Sequence, residues 1–325
     1  MKRSVIICLL FLIAAIGISG CQSKNTPSLN AAPNEDRIGA SNLRVLAVET
    51  FLADIAQNVA GDRLIVETLL PPEIDPHTFE PTPKDVAKIA SSQILILNGA
   101  GFEEWLTQTI EGVSGERMII EASSGLMPRR AQEGEKSDNS LQEETQPAHE
   151  IDPHFWLDPI NVIKYVENIR DGLIAADPAG KDIYTQNAQA YIAQLKELDS
   201  WIQQQLSAIP KVRRLIVTNH ESFGYFADRY GFKIIGAIIP SVSADAAPSA
   251  QQMVKLVEQI RENHVIAIFL ETGSNPQLAQ QIARETGVTV VTDLYTHSLS
   301  APDGPAPTYL DMMRYNTLNL VNALR

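Results

Sequence analysis

LRVLAVETFLADIAQNVAGDRLIVETL, residues 43–69, contains three readable pieces: the β-rich run Leu43 to Val48, the amphipathic stretch Phe51 to Ala60 closed by Gly61, and a second β-rich run Leu64 to Leu69. Parallel neighbours need a long crossover, and a helix between two short strands supplies it, so strand, helix, strand reads as one unit of a parallel sheet. The alternation continues outward through Lys84 to Ala90, Ile94 to Leu97, Glu103 to Ile110 and Met118 to Ile120. Thr82-Pro83 reads as a helix N-cap followed by proline at the first helical position. The pattern restarts with Arg214 to Val217, Phe223 to Tyr230, Phe232 to Ile235, Ala250 to Glu262, Val265 to Leu270, Pro276 to Thr286 and Val288 to Val291, and closes on a helix from Tyr309 to Leu324. The predicted fold is α/β, with two Rossmann-like lobes on mostly parallel sheets.

Asn161 to Ala176 and Lys181 to Leu206 read as helices between the lobes, the second with apolar positions at Ile183, Ala190, Tyr191, Leu195, Leu198, Ile202 and Leu206. A helix of 26 residues spans about 39 Å, enough to brace both lobes. The expected organisation is a first lobe over residues 42–178, a linking helix over 179–207 and a second lobe over 208–325. Pro128 to Glu150, rich in Glu, Gln, Ser and Asp, interrupts the first lobe and reads as a surface loop that cannot pack a core.

The chain opens with Lys2 and Arg3, an apolar run from Val5 to Ile16, and small residues before Cys21. That is a secretory signal over residues 1–20, and the small residues before the cysteine resemble a lipobox, which makes Cys21 a lipidated mature N-terminus. Residues 21–41 then read as the anchor and a flexible tether, and the expected location is extracytoplasmic, at the cell surface or in the periplasm. Removing residues 1–20 leaves 24 basic residues against 39 acidic ones, a formal charge of −15 that argues against nucleic acid as a partner.

Three histidines stand in turn-forming contexts just past predicted strands: His77 in Asp75-Pro76-His77, His154 in Asp152-Pro153-His154, and His220 in Asn219-His220-Glu221. With Asp293, after a fourth strand, they supply three imidazoles and a carboxylate, a set suited to tetrahedral zinc. Ligands of open α/β sheets bind beyond the carboxyl ends of strands, and two of these residues come from each lobe, which puts the site between the lobes. Glu80 and Asp158 are candidates to orient His77 and His154. Glu271 is the alternative carboxylate ligand, and His149 and His297 are auxiliary candidates, whereas His264 at a helix end reads as structural. Gly99-Ala100-Gly101 lacks the third glycine of a dinucleotide fingerprint, and no phosphate-binding Gly-x-x-x-x-Gly-Lys-Ser/Thr occurs. The chain itself is therefore not expected to hydrolyse nucleotide.

The motifs Asp75 to Pro83 (DPHTFEPTP), Asn98 to Leu106 (NGAGFEEWL), Asp152 to Pro159 (DPHFWLDP) and Asn219 to Phe226 (NHESFGYF) resemble those of the bacterial zinc/manganese ABC-transporter substrate-binding lipoproteins, the cluster A-I metal receptors, over nearly all of residues 42–325. The resemblance implies two four-stranded α/β lobes joined by one long helix, with a metal held between them by His77, His154, His220 and Asp293. It also implies a membrane permease and a separate cytoplasmic ATPase as partners. Within the family a histidine at the position of His220 accompanies zinc-type members and a glutamate accompanies most manganese or iron members, although some three-histidine members handle manganese; imidazole is the softer ligand of the two. The histidine-rich loop of many zinc members is replaced here by the acidic 128–150 segment.

The expected function is a monomeric, lipid-anchored receptor that captures Zn²⁺ and performs no covalent chemistry. The same role for Mn²⁺ is the nearest alternative. A zinc hydrolase with Glu221 as base and a surface adhesin are more distant ones.

Overall fold

The computed structural model describes residues 42–129 apart from 73, 78 and 114, together with 151–240 and 247–325. The signal, Cys21, the tether, His149 and nearly all of the acidic segment lie outside the described residues. The first sheet contains β1 (Val45–Ala47), β2 (Val66–Thr68), β3 (Ile94–Leu97) and β4 (Met118–Glu121) in the order β2-β1-β3-β4, every pair parallel. The second contains β5 (Leu215–Thr218), β6 (Lys233–Ala237), β7 (Ala267–Glu271) and β8 (Thr289–Leu294) in the order β6-β5-β7-β8, again all parallel. The second sheet repeats the topology of the first.

Helices α1 (Thr50–Ala60), α2 (Pro83–Ser91) and α3 (Glu104–Glu111) serve the first sheet, and α6 (Gly224–Tyr230), α7 (Ala250–Glu262) and α8 (Gln277–Thr286) the second. Local signals set their ends. Thr82 forms a reciprocal capping box with Asp85 ahead of Pro83, and Gly231 and Gly287 adopt the left-handed conformation that stops α6 and α8.

Between the sheets run α4 (Pro159–Ala176) and the 26-residue α5 (Lys181–Leu206), and α9 (Tyr309–Leu324) closes the chain. The buried face of α5 carries Tyr184, Ala188, Tyr191, Leu195, Leu198, Ile202 and Leu206, spaced three or four apart. Continuing that spacing back from Tyr191 reaches Ala188 and Tyr184, so the expected Ile183 and Ala190 fall on the solvent side. Each large apolar side chain on this face contributes about 1.5–3 kcal/mol of burial. Because α5 packs against α1, α4 and α9, a single apolar core runs through residues that follow both sheets.

Candidate metal centre

Two Asp-Pro-His turns present the first two histidines. After β2, the Asp75 carboxylate accepts the His77 backbone N–H at 2.9 Å, Trp105 Nε1 donates to the Pro76 carbonyl at 3.0 Å, and the Phe102 ring meets the His77 imidazole edge-on at 4.8 Å. After β4, Asp152 Oδ1 accepts the His154 backbone N–H at 3.0 Å and also lies 2.8 Å from the ring Nδ1. Asn98 donates to the Pro153 carbonyl at 3.1 Å, and its own side-chain oxygen accepts from Tyr165. The aspartate two residues upstream is thus the orienting group in both turns. Glu80 is exposed, and Asp158 caps α4 by accepting from the Ile160 N–H at 2.8 Å. Neither downstream carboxylate takes the expected place behind a histidine.

In the second lobe His220 follows β5, its carbonyl accepting from Thr218 Oγ1 at 2.6 Å and from the Ser222 N–H at 2.9 Å. The expected fourth position changes. Strand β8 extends three residues past the predicted Val291, so Asp293 falls inside the strand, exposed and outside the cluster. The loop beyond the strand delivers His297 instead, a residue expected only as an auxiliary. Its chain is pinned to the first lobe, because Thr296 O accepts from Trp156 Nε1 at 2.6 Å and the Leu299 N–H donates to Thr50 Oγ1 at 2.7 Å.

The ligand atoms of His77, His154, His220 and His297 all lie within 4.8 Å of one another. His154 Nε2 stands 3.4 Å from that of His77, 3.3 Å from that of His220 and 3.4 Å from that of His297. His154 and His220 are fully buried and His297 nearly so, leaving His77 the most accessible. A cavity of about 340 Å³ adjoins the cluster, bordered by Asp75 on one side and Asn219, Glu271 and His297 on the other.

Glu271, the last residue of β7, lies behind two of the rings. Its Oε1 is 2.9 Å from His220 Nδ1 and accepts from Ser222 Oγ at 3.0 Å, while its Oε2 is 3.5 Å from His297 Nδ1. The His220 contact is a close charge pairing, not a well-aligned hydrogen bond. Burial and the like charges of neighbouring imidazoles push His77 down to about 2 and hold His154 well below the ordinary range. His297 is lowered by burial against the pull of Glu271. Burial opposes the charged form of His220, but the Glu271 carboxylate, together with the charges of Asp75 and Asp152, outweighs it and raises this histidine. The same pairing, working against burial, takes Glu271 down to about 2. Three imidazoles held towards the neutral form and one paired with a carboxylate are donors that could together hold a transition-metal ion.

A second cross-lobe contact lies beside His154. Arg129 Nε donates to Asp228 Oδ2 on α6 at 2.9 Å, its NH1 is 3.7 Å from Asp152 Oδ2, and its backbone N–H donates to Tyr225 Oη at 3.3 Å. Tyr225 in turn donates to the Asp152 carbonyl at 2.9 Å. The guanidinium packs over Gly224, where an added Cβ would come within 2.6 Å of it.

A sequence profile described as zinc-uptake complex component A, periplasmic (ZnuA), matches residues 45–323. The chain belongs to the ZnuA family. The manganese-binding lipoprotein MntA of Halalkalibacterium halodurans is 32% identical over 98% of both chains, and the iron-binding protein YfeA of Yersinia pestis is 33% identical over 87% of this chain and 86% of its own. Among solved structures, a manganese-bound periplasmic metal-binding protein from Candidatus Liberibacter asiaticus superposes with a TM-score of 0.75 at 31% identity, covering 87% of this chain and 100% of that one. The periplasmic zinc-binding protein TroA of Treponema pallidum also superposes at 0.75, with 25% identity over 86% and 99% of the two chains. This ZnuA-family chain is the metal-binding receptor component of an ABC uptake system and not an enzyme, which removes the hydrolase reading. Among the described residues no helix is long and apolar enough to cross a membrane.

Proposed function

We propose that the protein captures Zn²⁺ on His77, His154, His220 and His297 and hands it to a membrane permease driven by a separate cytoplasmic ATPase. The spacing of the imidazole nitrogens carries this reading. Four nitrogens about 2.0–2.1 Å from a tetrahedral zinc sit about 3.3–3.4 Å from one another; three of the six separations, those from His154 Nε2, are 3.3–3.4 Å, and all four ligand atoms lie within 4.8 Å. An all-imidazole set also favours zinc over manganese, which prefers carboxylate and water oxygen. Attachment through a lipidated Cys21 at the outer face of the cytoplasmic membrane fits the lipoprotein relatives.

Manganese is the second reading, supported by the relatives named for that metal. Metal analysis of protein purified without added metal, followed by competition between zinc and manganese, separates the two. One zinc per chain, not displaced by excess manganese, is expected. Preferential recovery of manganese overturns the zinc assignment, and an oxygen ligand from Asp293 in the zinc X-ray absorption spectrum overturns the ligand set.

A further inference from the structure

Four neutral imidazoles bring no charge to a divalent ion, so a dry site built only from them has nothing to neutralise the cation. The carboxylates near the cluster are not equivalent in this respect. Asp152 shares its charge with Arg129, which also engages Asp228. Asp75 accepts the His77 backbone N–H, and its charge reaches His220 and His297 less strongly than that of Glu271. Glu271 is buried, and among the described residues its partners are His220, His297 and Ser222, with no lysine or arginine. Its negative charge is therefore directed at two of the four rings and, through them, at the space where their Nε2 atoms converge.

We propose that Glu271 is the charge-selecting residue of this site, a carboxylate that never touches the metal but fixes two of its ligands and makes a divalent ion preferred over a monovalent one. The inference rests on the four-histidine metal site proposed above. Two effects combine here. A carboxylate oxygen facing Nδ1 favours, on each ring, the tautomer that leaves Nε2 free for the metal, and a fixed negative charge in a low-dielectric interior attracts a dication about twice as strongly as a monocation. The first effect acts alike on any imidazole-binding ion. Only the second depends on the ion's charge, so an ion pair of unequal charge separates them.

The test measures Zn²⁺ and Ag⁺ affinities, each by competition, for the wild type, Glu271→Gln and Glu271→Asp. Glutamine keeps the size and an acceptor oxygen but removes the charge. Zinc affinity is expected to fall roughly ten- to a hundredfold in Glu271→Gln, while silver affinity falls by about the square root of that factor, roughly three- to tenfold. Glu271→Asp keeps the charge, so both affinities fall together and the ratio stays near that of the wild type. This variant still decides the matter if the glutamine variant does not fold, because a collapsed ratio there overturns the inference. An equal loss for both ions in Glu271→Gln reduces Glu271 to an orienting group and overturns charge selection, as does a variant that binds both ions like the wild type. A Glu271 oxygen directly on zinc in the wild-type absorption spectrum overturns it as well. A wild type that binds neither ion defeats the receptor site itself, a failure visible before any variant is made.

Discussion

The Nε2 atoms of His154 and His297 lie 3.4 Å apart, although 143 residues separate them and they follow strands of different sheets. The fourth corner of the proposed site is thus an imidazole. Replacing His297 by Asp restores the three-imidazole, one-carboxylate set read from sequence, and it should shift the ratio of manganese to zinc affinity towards manganese by about tenfold or more, because carboxylate oxygen is the harder donor. His297→Ala should lower zinc affinity by more than about a hundredfold, beyond the loss typical of groups that only orient a ligand. Asp293→Ala, at an exposed strand position, should bind zinc like the wild type. Competition titrations on the three variants decide among these outcomes.

Arg129 joins Asp228 and Tyr225 of the second lobe to Asp152, the residue that orients His154, so it should help keep the lobes closed over the ion. Asp228 is 40% exposed at its side chain, which limits the ion pair to about 1 kcal/mol. For Arg129→Ala the expected result is zinc release into excess chelator about fivefold faster, the equivalent of that energy. An unchanged release rate would show that the contact does not hold the lobes.

The strand and helix alternation was legible because parallel α/β units repeat short β-branched runs at regular intervals, and Ile94–Leu97, Ala250–Glu262 and Tyr309–Leu324 emerge with the predicted limits. His77, His154 and His220 were legible because each sits in a distinctive turn just past a strand. The fourth corner was not, for a local reason. The polar pair Thr292-Asp293 ends an apolar run in sequence, but both residues remain in β8, at a register irregularity between the Phe269–Val291 and Glu271–Leu294 pairs with β7. Three more strand residues carry the following loop past Asp293 and bring His297 to the cluster. The orienting groups were misplaced for a different reason: the signal lay in the repeated Asp-Pro-His, with aspartate folding back on the histidine N–H, and not in the downstream Glu80 and Asp158.

Asp54 on α1 provides a pH test of the linked lobes. Burial raises its carboxyl from 3.8 to about 6, against the Tyr309 backbone N–H that donates to Oδ2 at 2.9 Å, with the nearby Asp311 charge raising it further. A carboxyl whose folded value is raised favours the folded state fully below its unfolded value near 3.8, and that favour is lost as pH rises through about 6. At pH 7.5 the buried charge is therefore a cost, and Asp54→Asn, which still accepts the Tyr309 N–H, should stabilise the protein by about 1–2 kcal/mol. Near pH 4 the gain should shrink towards zero. Urea unfolding at both values checks the sign, and a destabilised variant at pH 7.5 would contradict it.

Trp156 couples the core to the site. Its ring is fully buried and stacked on Phe51 at 4.6 Å, lies 5.2 Å from the His154 ring, and its Nε1 donates to Thr296 O, one residue before His297. Trp156→Phe preserves most of the stacking but leaves the Thr296 carbonyl without this donor, at a cost of about 1–3 kcal/mol. Trp156→Ala adds a cavity and should cost about 3–5 kcal/mol. The phenylalanine variant is the more informative of the two, because it frees the His297 loop without emptying the core. It should lower the melting temperature of the metal-free protein by a few degrees and weaken zinc binding as well. A variant that loses stability but binds zinc with wild-type affinity would show that Trp156 supports the lobes without positioning His297.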